Sequence, residues 1–124
     1  MSTVNKQLSS TGAPQVLPNV VAAFYTTPGG TVALIKKATF VNTANTAVVI
    51  TGYFVPAAGN PGATNIAFGP VTVPAKPAIP GLANPILEVY EIENHTLMPG
   101  MSLQLVADTV NAVVGIVSGL EITQ

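Results

Sequence analysis

The sequence predicts an all-β chain, an antiparallel β-sandwich that is jelly-roll-like and carries an extended N-terminal arm. Three observations lead there. β-Branched and aromatic residues recur in short runs bounded by Gly, Pro, Asn and Thr, the residues that make turns. Within those runs the side chains alternate with a period of two. Helix signals, a 3.6-residue apolar period with caps at its ends, are nearly absent. Several short strands with closely spaced turn signals and no helices indicate a sandwich or jelly roll rather than a mixed fold.

Residues 1–19 are rich in Ser, Thr, Asn, Gln and Pro without a sustained period, and read as an arm outside the compact core, either disordered or lent to a neighbour. Val4, Leu8, Val16 and Leu17 are its apolar side chains and the expected points of contact with another subunit. The sandwich domain spans 20–124. Its first strand, Val20 to Thr27, stops at the Pro28-Gly29-Gly30 turn. In the next, Thr31 to Asn42, Val32, Leu34, Ala38 and Phe40 fall on one face and Ala33, Ile35, Lys37 and Val41 on the other, and neither face is cleanly polar. Asn42 to Thr46 is a short turn, so Ala47 to Val55 is expected to be the antiparallel hairpin partner of the strand before it. The stretch Pro56 to Pro85 holds seven prolines, which forbid a long regular element and leave room for one brief strand, near Ile66–Phe68 or Val71–Val73. A connection of this length is usually functional or bound to a partner, and Pro70, Pro74, Pro77 and Pro80 are its expected contact residues. Ile86 to Asn94, Met101 to Ala107 and Ala112 to Thr123 complete the pattern, with turns at Met98-Pro99-Gly100 and around Asp108.

A length of 124 residues fits one domain. Apolar residues make up 48% of the chain and charged residues 7%, against about 25% charged in typical soluble domains. A domain this small cannot hide that much apolar surface in its own interior. Assembly into a homotrimer that covers several faces is the expected resolution. The alternative is a monomer whose surface is Thr, Asn, Ser and Ala, uncharged yet hydrated. Nucleic acid is a poor partner, because the net charge is −1, arginine is absent and only Lys6, Lys36, Lys37 and Lys76 are basic. The absence of cysteine leaves no disulfide, thiolate or zinc–sulfur site. The N-terminus lacks the apolar core of a secretion signal, and no stretch approaches the roughly 20 apolar residues of a membrane helix. The expected setting is the cytoplasm or a particle assembled there, with no membrane partner.

Groups able to do chemistry are few: one histidine and five carboxylates. Glu91, Glu93 and His95 recur at strand spacing and could share one face, which would suit a divalent metal. The reading adopted is a polar strand end in solvent, with no metal and no cofactor; a pH-responsive subunit contact at His95 is a third option. Gly29-Gly30 is a turn and not a phosphate loop, since no helix or Lys-Ser/Thr pair follows it. Sugar binding usually presents an aromatic platform, yet Trp is absent and Tyr25, Tyr53 and Tyr90 lie where strand packing is expected. No catalytic activity is expected.

Three segments resemble a family of small virion proteins of tailed bacteriophages. Phe24-Tyr25-Thr26-Thr27-Pro28-Gly29-Gly30 leading into Thr31–Lys36 is similar to that family's strand, Tyr-x-x-Pro-x-Gly turn and apolar strand. Ala38–Thr43 ends a strand on asparagine before a Thr-rich turn, and Leu97–Leu103 is followed by Asn111-Ala112-Val113 and Val117–Glu121. The likeness covers Ala23–Val55 and Ile86–Thr123, about half the chain, while Pro56–Pro85 departs from the family's shorter connection. The resemblance implies a sandwich or jelly-roll subunit on the outside of a capsid, a decoration or cement protein, commonly trimeric, whose partner is the phage major capsid protein. A tail, collar or fibre component is the alternative that keeps the fold, and a carbohydrate-binding jelly roll is a more distant one.

Overall fold

The computed structural model describes residues 2–77, 79 and 81–123. Ten strands occur in the order β1 (Ser2–Gln7), β2 (Gln15–Val16), β3 (Ala22–Thr26), β4 (Thr31–Asn42), β5 (Val48–Val55), β6 (Ile66–Val73), β7 (Ile86–Glu88), β8 (Thr96–Leu97), β9 (Ser102–Ala107) and β10 (Val113–Thr123). Single 3-10 turns lie at Ala63–Asn65 and Tyr90–Ile92. Sheet A runs β1-β10-β4-β7, with β2 beside β10 and β8 beside β4; sheet B runs β3-β9-β5-β6. All ladders are antiparallel.

The pairing is nested. β1 joins β10, β3 joins β9, β4 joins β7, and β5 joins β6, so the chain is one long hairpin rolled into two sheets. That is a jelly-roll-like sandwich, and it rests on the alternation of each strand: positions facing the other sheet are apolar and closed to solvent. Phe24, Ile50, Leu103 and Leu105 from sheet B meet Ile35, Phe40, Val113 and Val117 from sheet A in a single core. Phe40 and Phe68 close its centre, tilted, with ring centroids 5.6 Å apart.

Several sequence expectations need correction. β5 is not the hairpin partner of β4; the two lie in opposite sheets. Asn42 turns the corner between them. It is fully buried, its Nδ2 donates to the carbonyls of Thr46 (3.0 Å), Val73 (3.3 Å) and Pro74 (2.9 Å), and its Oδ1 accepts from Ala44 N (2.9 Å). One side chain thus satisfies backbone groups that a tight hairpin would have paired through its ladder.

The faces of β4 also differ from a strict alternation. Thr31, Ala33 and Ile35 point inward, and so do Ala38, Phe40 and Asn42, while Lys36 and Lys37 between them both point outward. Register opposite them shifts between Ser118 and Gly119, which is a β-bulge. The extra residue moves the second half of the strand into the opposite phase, which is why no single alternation described all of it.

The N-terminal segment is extended as expected but does not stand apart from the core. β1 pairs along β10 of its own chain from Ser2↔Thr123 to Gln7↔Ser118, and Leu8 and Leu17 are fully buried in the core cluster. Backbone bonds from Leu8 N to Val117 O (2.7 Å) and Leu17 N to Val113 O (2.8 Å) fix both. Polar composition concealed these two anchors. In the Pro-rich stretch one eight-residue strand, β6, replaces the brief strand expected; Pro70 is accommodated because β6 is an edge strand. Ile86 to Asn94 is not one strand: β7 ends at Glu88 and the 3-10 turn Tyr90–Ile92 follows.

Candidate functional site

Sheet A has an unusual outer face. In an antiparallel sheet with one solvated side, the outward positions are normally polar. Here β10 turns out Val114, Ile116, Leu120 and Ile122, and β4 turns out Val32, Leu34 and Val41. Directly paired residues share a face, so Val114 lies between Val16 and Val41, and Ile86 extends that row across β7. A second row runs Asn5–Leu120–Leu34–Thr96 and a third Thr3–Ile122–Val32. Between the first and second rows stands a polar strip, Gln7–Ser118 with Lys36 and Lys37 at the bulge. The lysine pair is exposed and makes no ion pair among the described residues, where Lys6–Glu121 is the one found. The face is therefore two aliphatic patches flanking a double positive charge.

Sheet B presents a different surface. Its outward residues include Thr51, Tyr53, Thr72 and Gln104 among Ala23, Val49 and Val106, the mixture expected of a hydrated face. The contrast marks the outer face of sheet A as the surface built for contact.

Charge gathers beside it. Glu88 points outward opposite Thr39 on β4. A hydrogen bond with Glu93, then desolvation and repulsion by the same carboxylate, push the Glu88 carboxyl above its ordinary range, and Lys37 opposes the shift. Glu93 Oε2 in turn accepts from Ala38 N (3.1 Å), directly after the bulge. The two glutamates and Lys37 thus brace the bulged part of the strand.

A second polar group closes the open edge between β1 and β3. Glu121, on the inner side of β10, accepts from Lys6 Nζ at 3.3 Å and from the Tyr25 hydroxyl. Burial, then the hydrogen bond to Glu121 and its negative charge, raise the Tyr25 hydroxyl well above the usual phenol range. These residues line a cleft of about 270 Å³ together with Ser10, Thr26 and Pro28. Its polar groups are largely engaged with each other or nearby, as Ser10 Oγ donates to Gln15 Oε1 (2.9 Å).

The predicted contact residues divide. Val16 sits on the outer face of sheet A and is half exposed; Val4 is equally exposed but faces the Glu121 side of β1. Leu8 and Leu17 are core residues and unavailable to a partner. Pro70 and Pro74 are exposed, the carbonyl of Pro74 being held by Asn42, and Pro77 lines a surface hollow of about 650 Å³ with Lys76, Ile79 and Leu82. Pro80 lies outside the described residues. Glu91, Glu93 and His95 do not share a strand face. Glu91 is exposed in the 3-10 turn, Glu93 reaches back to Ala38, and His95 packs its ring against Phe54 with centroids 5.2 Å apart. Among the described residues no three His, Cys, Asp or Glu side chains come together as metal ligands would.

Sequence reasoning missed the Tyr25–Glu121–Lys6 group and the Glu88–Glu93 pair. Both join residues far apart in the chain or across a turn, and only the register of β10 and the end of β7 brings them together. The aliphatic outer face did leave a signal, the second strand with no polar side. No family model, no curated protein and no solved structure matches the chain.

Proposed function

We propose that this protein is a structural subunit without catalytic function that works by packing against neighbouring protein subunits, and specifically a decoration subunit on the outside of a bacteriophage capsid. The aliphatic outer face of sheet A carries the reading. A face of partly exposed Val, Ile and Leu side chains, broken only by Lys36 and Lys37, is stabilised by being covered. Taking β10 at about 3.3 Å per residue and four strands at about 4.8 Å spacing, the face measures roughly 35 Å by 15–20 Å. That is close to the roughly 800 Å² per partner of a standard stable interface. The virion assignment, the phage capsid protein as partner and a subunit count of three rest on the resemblance set out above together with the low charge of the chain.

Imaging of purified particles with and without the protein tests this. Periodic density over the shell, absent when the protein is withheld, is the expected result. Density confined to a tail, collar or fibre would move the same subunit elsewhere in the virion, and absence from particles altogether would overturn the assignment.

A further inference from the structure

Resting on the reading of the chain as a subunit-packing protein, we propose that the outer face of sheet A receives residues 82–91 of a second copy of the same chain, in a head-to-tail contact. The two surfaces match in chemistry. Segment 82–91 projects apolar side chains with nothing to cover them: Leu82 is 54% exposed, Ile86 65% and Tyr90 69%. Glu91, exposed in the same turn, makes no ion pair among the described residues. The receiving face offers the converse, aliphatic patches around Lys36 and Lys37. Apolar residues ringing one carboxylate would thus meet apolar residues ringing an unpaired lysine pair, and burying the charges together avoids the penalty of burying either alone.

The same charges argue against a symmetric contact. Two copies of sheet A packed face to face about an axis through the centre of the sheet would bring Lys36 and Lys37 against their own counterparts, which is unfavourable. A contact between two different patches instead passes from copy to copy and closes into a ring when the rotation allows, three copies on the reading above.

The test uses the full chain and its mass by light scattering at micromolar concentration. Wild type is expected above monomer mass. Ile116→Lys on the face and Leu82→Asp on the projecting segment should each weaken self-association at least tenfold while leaving the far-ultraviolet spectrum unchanged. Mixing the two variants should restore a 1:1 pair, because one intact face and one intact segment remain between them. Lys37→Glu and Glu91→Lys form a second set, in which neither changes a core residue, and they should likewise fail alone and associate when mixed. A monomeric wild type would overturn this proposal and the subunit-packing reading with it. An oligomer that survives all four substitutions, or variants that stay apart on mixing, would overturn the head-to-tail contact and leave that broader reading standing.

Discussion

Asn42 is a polar side chain in an apolar corner, and its amide is the donor for three backbone carbonyls. Replacing it with Ala strands those acceptors, at about 2 kcal/mol. Asn42→Asp should be worse, since a carboxylate would face the same three oxygens; urea unfolding is expected to rank wild type above Asn42→Ala above Asn42→Asp. Tyr25 behaves differently with pH. Its hydroxyl is held neutral in the folded chain by burial and Glu121, while in the unfolded chain it ionises near pH 10. Its contribution is complete below pH 10 and falls as pH rises beyond it. Tyr25→Phe should cost about 1 kcal/mol at neutral pH and flatten the alkaline decline in stability. Glu88 gives a third case. Its carboxyl is raised by Glu93, so the folded chain favours the protonated form, and the associated stability is present at acid pH and lost as pH rises through the carboxylate range. Glu88→Gln keeps a hydrogen-bond donor toward Glu93 and removes the charge. Melting temperatures should show the variant more stable than wild type at pH 7, with the difference gone at pH 4.

The strands themselves differ in what they contribute. β1 has exposed side chains from Ser2 to Lys6, so it adds a ladder and little buried area, whereas Leu8 and Leu17 just beyond it are sealed in the core. Deleting residues 2–6 should leave a folded sandwich with a modestly lower melting temperature. Deleting 2–18 removes both leucines, each worth about 2–5 kcal/mol by analogy with core truncation, and should abolish cooperative melting, since domains are stable by only about 5–15 kcal/mol. The bulge supplies another element-scale test. A Cβ on Gly119 would meet the Leu34 carbonyl oxygen and Leu8 Cδ1, and the former is backbone that cannot swing away. Gly119→Ala should therefore destabilise by about 2 kcal/mol or more. Strand positions were legible in the sequence wherever alternation was regular, as in Ser102–Ala107 and Val113–Thr123. They were not legible where tertiary contacts override local pattern: at Lys36-Lys37, where a bulge inverts the phase, and at Leu8 and Leu17, whose polar flanks read as a free arm.

For the whole molecule, the excess of apolar residues over charges has a location. A single sheet holds it on its outer surface, while the other sheet shows hydroxyls and amides to solvent. Composition alone announced that something must cover this protein, but which face needed the true register of β4 and β10. The candidate metal cluster shows the opposite limit: the spacing of Glu91, Glu93 and His95 assumed a strand that the 3-10 turn at Tyr90–Ile92 replaces.

The nested pairing also bears on how the chain reaches its native state during synthesis. β9 and β10 are the inner strands of their sheets, each flanked on both sides by strands made earlier. Until the ribosome has released them, β1 has no neighbour, β3 is unpaired, and β4 and β5 lack one side each. Only local ladders such as β5 with β6 can form beforehand. Folding should then be post-translational and slow, as for folds dominated by distant pairings. Until release, the apolar strands would stand open to aggregation, which makes chaperone capture of nascent chains ending before Val113 the expected observation and efficient folding of such chains the contrary one.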